Sequence, residues 1–172
     1  MAPPIPARRV SRGSLCPALA LALLAPVAFP AAAQVTRVDA PGRPYAASVR
    51  VPAGATVVHV SGIVADPGGA GAAPRWGDTE AQARAVLRQL AAALAAQRMT
   101  LGDVVALRVY LVAPPGAERM DYAGFSRAYA EVFGQIRPAR ATVEVGGLVD
   151  PGQLVEIEAT AARAAPRGRR SE

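Results

Sequence analysis

The order of apolar and polar residues changes period several times along the chain. Tyr45 to Val51 ends in an alternating Ser48-Val49-Arg50-Val51 and predicts a short strand. Pro52-Ala53-Gly54 marks a turn. Thr56 to Val64 is rich in β-branched residues and predicts a second strand. A glycine-rich stretch from Asp66 to Gly77 then predicts a flexible loop, and after it the period lengthens. Leu87, Leu90, Ala91 and Leu94 recur at three- and four-residue steps, which is the apolar stripe of an amphipathic helix. That helix opens at Asp78 or Thr79, where Thr79-x-x-Gln82 fits a capping box, and ends near Gln97. Val104 to Val112 predicts a third strand, stopped by Pro114-Pro115-Gly116. Tyr122, Phe125, Tyr129 and Phe133 are spaced for the buried face of a second helix, from about Met120 to Phe133, which Gly134 ends. Arg140 to Val145 and Leu154 to Ala161 predict the last two strands.

The order β-β-α-β-α-β-β describes an α+β domain with one sheet. Two helices cover only one face of such a sheet, so the other face is wet or covered by another subunit. Period-two alternation puts Arg140, Thr142 and Glu144 on one face and Ala141, Val143 and Val145 on the other. Glu156, Glu158 and Thr160 alternate with Val155, Ile157 and Ala159 in the same way. The apolar sides are expected to meet the helices, which leaves the Arg and Glu side chains together on the open face.

The start of the chain follows a different rule. Arg8, Arg9 and Arg12 precede an apolar run from Ala18 to Ala25, and Ala31-Ala32-Ala33 follows. A basic segment, an apolar segment and small residues in that order read as an export signal, residues 1–33, with the protein placed in the periplasm or secreted. The alternative is a membrane anchor, but the apolar run falls short of the about 20 residues a bilayer needs, so no membrane partner is expected after cleavage. Of the net charge of +6, three units leave with this segment and three more belong to the end of the chain, Arg163, Arg167, Arg169 and Arg170 less Glu172, where residues 164–172 read as a disordered basic tail. The folded middle is near neutral, which argues against nucleic acid as a partner. The only cysteine, Cys16, leaves with the signal, and His59 is the only histidine. No metal site is expected, and the ligands of a zinc deaminase are missing. His59, between Val58 and Val60, reads first as a packed or interface residue and second as a neighbour of the pocket through Ser61.

Six segments, VSGIVADPGG, GDTEAQARAVLRQL, LGDVVALRVYL, YAGFSRAYAEVFG, RPARATVEV and LVEIEATA, occur in this order. Together they resemble the RidA family of reactive-intermediate (enamine/imine) deaminases, from about Tyr45 to Ala161, which makes residues 34–163 a RidA-like domain. The resemblance implies a chorismate-mutase-like fold and a homotrimer with its sheets facing inward and a small-molecule pocket at each subunit interface. It also implies hydrolysis of 2-imino or enamine acids to 2-keto acids and ammonia with no cofactor.

By the same resemblance Arg140, in PAR-Ala-Thr, is the substrate arginine, whose planar fork grips a carboxylate through two parallel hydrogen bonds. Glu156, the first acid of VEIE, is the group that orients water. Tyr45 closes the pocket, and Ser61 and Gly62 line it. Thr142 stands where the family often has cysteine, and Ser126 where it has asparagine; both are expected to line the pocket still. The link from Tyr129 to Arg140 is a few residues shorter than usual. A noncatalytic trimer that binds a small carboxylate in the same cleft is the alternative, and an RNA-cleaving protein is a third reading, disfavoured because the folded part lacks a basic stripe with interleaved aromatics.

Overall fold

The computed structural model describes residues 34–67 and 76–165. The expected export signal, most of the glycine-rich loop and the tail beyond residue 165 lie outside the described residues. The elements are β1 (Thr36–Asp39), β2 (Ala46–Arg50), β3 (Thr56–Val64), α1 (Thr79–Ala96), a 3-10 turn (Leu101–Asp103), β4 (Val104–Leu111), α2 (Tyr122–Phe133), β5 (Ala139–Glu144) and β6 (Val155–Arg163). The six strands form one sheet in the order β1-β2-β5-β4-β6-β3. β5 runs parallel to β2 and β4, and the remaining pairs are antiparallel. β1 was not expected. Its four residues, TRVD, carry no alternation, and it exists by pairing with β2, Thr36 opposite Arg50 and Val38 opposite Ser48.

One core binds both helices to the sheet. Val86, Leu87, Leu90 and Leu94 of α1 and Phe125, Tyr129 and Phe133 of α2 are buried against Val104, Leu107, Val109, Leu111, Val155 and Ile157. The second helix thus buries the predicted aromatic stripe, except that Tyr122 at its start is 42% exposed. Gly134 ends it at φ 50°, a left-handed conformation that favours a residue without a Cβ.

α1 opens differently from the capping-box expectation. Asp78 is the cap, and its side chain accepts from the Ala81 amide. Gln82 is freed from capping and is fully buried. Its amide nitrogen donates to the carbonyls of Gly77 and Gly152, and its oxygen accepts from the Leu154 amide. One side chain thereby ties the start of α1 to the turn that precedes β6.

The expected facing holds for β6 and is reversed for β5. Val155, Ile157, Ala159 and Ala161 are buried, with Glu156, Glu158 and Thr160 on the open face. In β5 the apolar residues look outward, and Val143 is 45% exposed. Arg140, Thr142 and Glu144 look toward α2, because β5 pairs in register with β4, Leu107 beside Arg140 and Val109 beside Thr142, on the face that holds the core. The outward face keeps Val57, His59, Ala106, Arg108, Ala141 and Val143, a surface of small apolar and mixed polar groups.

Candidate functional site

Two clusters hold the residues that the sequence singles out, and they lie on opposite faces of the sheet. The first is the seam between α2 and β5. The register of β5 turns Arg140 onto the aromatic stripe of α2. Its guanidinium carbon lies 4.2 Å from the centre of the Tyr129 ring and 5.3 Å from the centres of the Phe125 and Tyr45 rings. Such ring faces attract a cation without neutralising it. Nη2 of Arg140 donates to the Tyr122 hydroxyl at 2.9 Å. Nη1 is buried and has no partner among the described residues. Among the described residues no carboxylate pairs with Arg140, as with Arg37, Arg43, Arg50, Arg88 and Arg98, whereas Arg84 pairs with two and Arg108, Arg119, Arg127, Arg137 and Arg163 with one each.

Local bonds hold this cage. The Tyr129 hydroxyl donates to the Pro44 carbonyl at 3.1 Å, and the Ala46 amide donates to Pro138, so the residue between, Tyr45, is pinned over the start of β5. Burial pushes the Tyr129 phenol up to about 12, against the opposing pull of the Arg140 charge, so the hydroxyl stays a neutral donor. Thr142 shares the inward face of β5 with Arg140, and its buried Oγ1 has no partner among the described residues. Ser126 stands four residues after Tyr122 and three before Tyr129, on the same side of α2, and its buried Oγ is also without one. Glu144, further along, is satisfied. Arg119 and the Met120 amide both donate to it, and the Arg119 bond holds its carboxyl below the usual range. Buried polar atoms are paired as a rule. Of the five buried side-chain atoms without a partner among the described residues, Arg37 Nε and Thr79 Oγ1 lie elsewhere, and Arg140 Nη1, Ser126 Oγ and Thr142 Oγ1 share this one seam, which suits an oxygen-bearing anion.

The second cluster lies toward the far end of β3 and β6. A bulge between Val60 and Ile63 sets Ser61 and Gly62 against the single residue Glu158 of β6. A Cβ at Gly62 would overlap Oε1 of Glu156, so glycine leaves the space that this carboxylate occupies, and a larger residue would turn the carboxylate aside. Glu156 is half-buried and paired in register with Tyr110. His59 shares a weak bond, 3.3 Å, with Thr160, and Glu158 accepts from Arg108 and Tyr110. A shallow cleft of about 590 Å³ on this open face is lined by His59, Ser61, Arg108, Glu158 and Thr160 and reaches the edge at Tyr45 and Arg140.

Arg140 and Glu156 therefore do not meet within one chain. Arg140 is level with Leu107 and so with Ala159, two strands away and three residues from Glu156. Strand spacing and rise make that roughly 14 Å between backbones, with the side chains on opposite faces. Tyr45, Ser126 and Thr142 gather with Arg140; Ser61 and Gly62 gather with Glu156. The ring partners Tyr122, Phe125 and Tyr129 appear in the sequence only as a core stripe. The signal that could have found them is the inward period-two phase of Arg140, which needs the phase of β5 to be known first.

A RidA/YjgF-type protein is what this fold and seam define. The family model described as Endoribonuclease L-PSP matches residues 37–163, and the chain belongs to that family. Among curated proteins it is 41% identical over 85 residues to a RutC family protein of Pyrococcus horikoshii, covering 49% of this chain and 63% of the relative. The aligned stretch thus spans less than two thirds of that relative's length. It is 38% identical, also over 85 residues, to the 3-aminoacrylate deaminase RutC of Acinetobacter baylyi, with 49% of this chain and 63% of the relative covered. Over 118 residues it is 36% identical to the protein DfrA of Myxococcus xanthus, covering 69% of this chain and 84% of the relative. Of solved structures, a Rid-family protein of unknown function from Yersinia pestis aligns with a TM-score of 0.58 at 27% identity, over 74% of this chain and 97% of that one. The mixed α+β architecture with a single sheet and two helices is the one these relatives share.

Proposed function

We propose that the protein hydrolyses 2-imino or enamine acids to 2-keto acids and ammonia in a pocket shared between copies of the chain. The observation that carries this reading is the acid-free guanidinium of Arg140 in its aromatic cage. Arg140 grips the substrate carboxylate. Water adds to C2 of the imine, the C–N bond breaks, and ammonia leaves with the keto acid remaining; an enamine first takes a proton at C3. Glu156 orients the water and takes its proton. Because it stands on the far face in its own chain, it is supplied to each Arg140 by a neighbouring copy, with Ser61 and Gly62 beside it and Tyr45 closing the pocket. The open sheet face, with Ala141 and Val143 outward, suits packing against a second and third copy in a homotrimer. Support also comes from the relative named 3-aminoacrylate deaminase. The leader-like residues 1–33 suit work outside the cytosol, on imines released there by an amino-acid oxidase or dehydrogenase.

The test is ammonia and keto-acid release from imines made in situ by an amino-acid oxidase. Arg140→Ala is expected to abolish the enzyme-dependent release and leave the assembly intact; an unchanged rate overturns the reading. One observation favours a second one, a noncatalytic carrier or sensor of small carboxylates: the arginine cage is complete in a single chain, while the acid is not part of it. In that case 2-oxobutanoate binds at Arg140 and no imine turns over. RNA is disfavoured, since twelve arginines balance twelve acids over the described residues and leave no excess charge to release counterions.

A further inference from the structure

We infer that Tyr122 is a second anion-binding residue of this site, and that its phenolic hydroxyl donates to the same substrate carboxylate that Arg140 grips. The inference rests on the reading of Arg140 above and adds a residue that the sequence shows only as part of a core stripe. A guanidinium has donors only, so in the 2.9 Å contact between Arg140 Nη2 and the Tyr122 hydroxyl the phenol oxygen must be the acceptor. Its own proton is then directed elsewhere, and among the described residues nothing accepts it. A hydroxyl that accepts from a cation becomes a stronger donor, since bonds in a chain polarise one another. Tyr122 is the first residue of α2, and at 42% exposed it stands at the solvent side of the cage, while Phe125 and Tyr129 form the inner wall. An approaching carboxylate meets two adjacent donors there, the guanidinium edge and the polarised phenol. The acid-free cage explains why Arg140 uses a phenol as its resting partner. A phenol keeps one nitrogen ordered without neutralising the charge, as a carboxylate would.

The test is calorimetric titration of 2-oxobutanoate into the wild-type protein, Tyr122→Phe and Arg140→Ala. Phenylalanine keeps the ring and its 6.3 Å contact with Phe125 and removes only the hydroxyl. Tyr122→Phe is expected to weaken binding about tenfold, the scale of one hydrogen bond to a charged group, and Arg140→Ala to abolish it. In the imine assay the same variant raises KM about tenfold with kcat unchanged. Equal affinity of Tyr122→Phe and the wild type, with Arg140→Ala still nonbinding, overturns the role of Tyr122 and leaves the site standing. Undiminished binding by Arg140→Ala overturns the site itself and the inference with it.

Discussion

Two polar side chains of this molecule, one fully buried and one half-buried, are treated in opposite ways. Gln82 is fully buried, and both ends of its amide are matched, two carbonyls on one side and the Leu154 amide on the other. Arg140 sits in an equally tailored setting, yet Nη1 is orphaned and no acid answers its charge. Burying a polar group is tolerable when it is paired and costly when it is not. A fully satisfied network is architecture, since it fixes how α1 meets the turn before β6. Single unsatisfied atoms also occur at Arg37 and Thr79, but the cluster of Arg140, Ser126 and Thr142 on one seam is capacity that a bound anion would fill.

That contrast can be broken by substitution. The largest effect is expected at the satisfied residue. Gln82→Met keeps the volume but leaves the buried Leu154 amide unpaired and strips the carbonyls of Gly77 and Gly152, which water can reach, of their donor, at a cost of about 3 kcal/mol. Urea unfolding at neutral pH measures this, and keto-acid affinity of the folded fraction should be unchanged. Arg140→Met is the mirror image. Affinity for 2-oxobutanoate falls by at least about a hundredfold, while unfolding free energy changes by no more than about 1 kcal/mol, because no carboxylate is left uncompensated and the apolar methionine still covers the rings, so that only the Tyr122 bond and the cation–ring attraction are lost. If Arg140→Met unfolds the protein as badly as Gln82→Met, the distinction between the two regions fails.

A smaller effect belongs to the other cluster. Gly62→Ala forces the Glu156 carboxylate aside, and kcat on imines is expected to drop about tenfold with ligand affinity nearly intact, since the ligand carboxylate is gripped by Arg140 and Glu156 acts on the water. A loss of affinity alone would place Glu156 in binding rather than in catalysis. The smallest effect is electrostatic. Arg163, with help from Thr100, holds the Asp103 carboxyl below its ordinary value. A carboxyl depressed in the folded state stabilises it above the unfolded pKa of about 4, and the gain is lost as pH falls through the lower, folded value. Asp103→Asn should therefore lower the melting temperature slightly at pH 7 and not at pH 2, as thermal scans would read.

The elements with a clear period were legible in the sequence, and those fixed by pairing were not. The α2 stripe and the alternation of β6 stand in the residues and in the structure alike. β1 has four residues and no alternation, and only its partner β2 makes it a strand. For β5, alternation gave the two faces but not which one meets the helices. Polarity suggested the wrong one, because the stem of Arg140 covers aromatic rings and its charge is caged by them rather than solvated. A shift of one residue in that assignment moves every side chain of the strand. The consequence for the site is large: with Arg140 inward, no single chain brings it to Glu156.

The two groups can act together only if one copy lends Glu156 to the Arg140 of another, and mixing two disabled chains measures this directly. Arg140→Ala and Glu156→Gln are each inactive alone on imines. Unfolded and refolded together in equal amounts, they should recover about a quarter of wild-type ammonia release, since random assembly gives one seam in four both native groups. A mixture as inactive as its parts would contradict a site shared between copies.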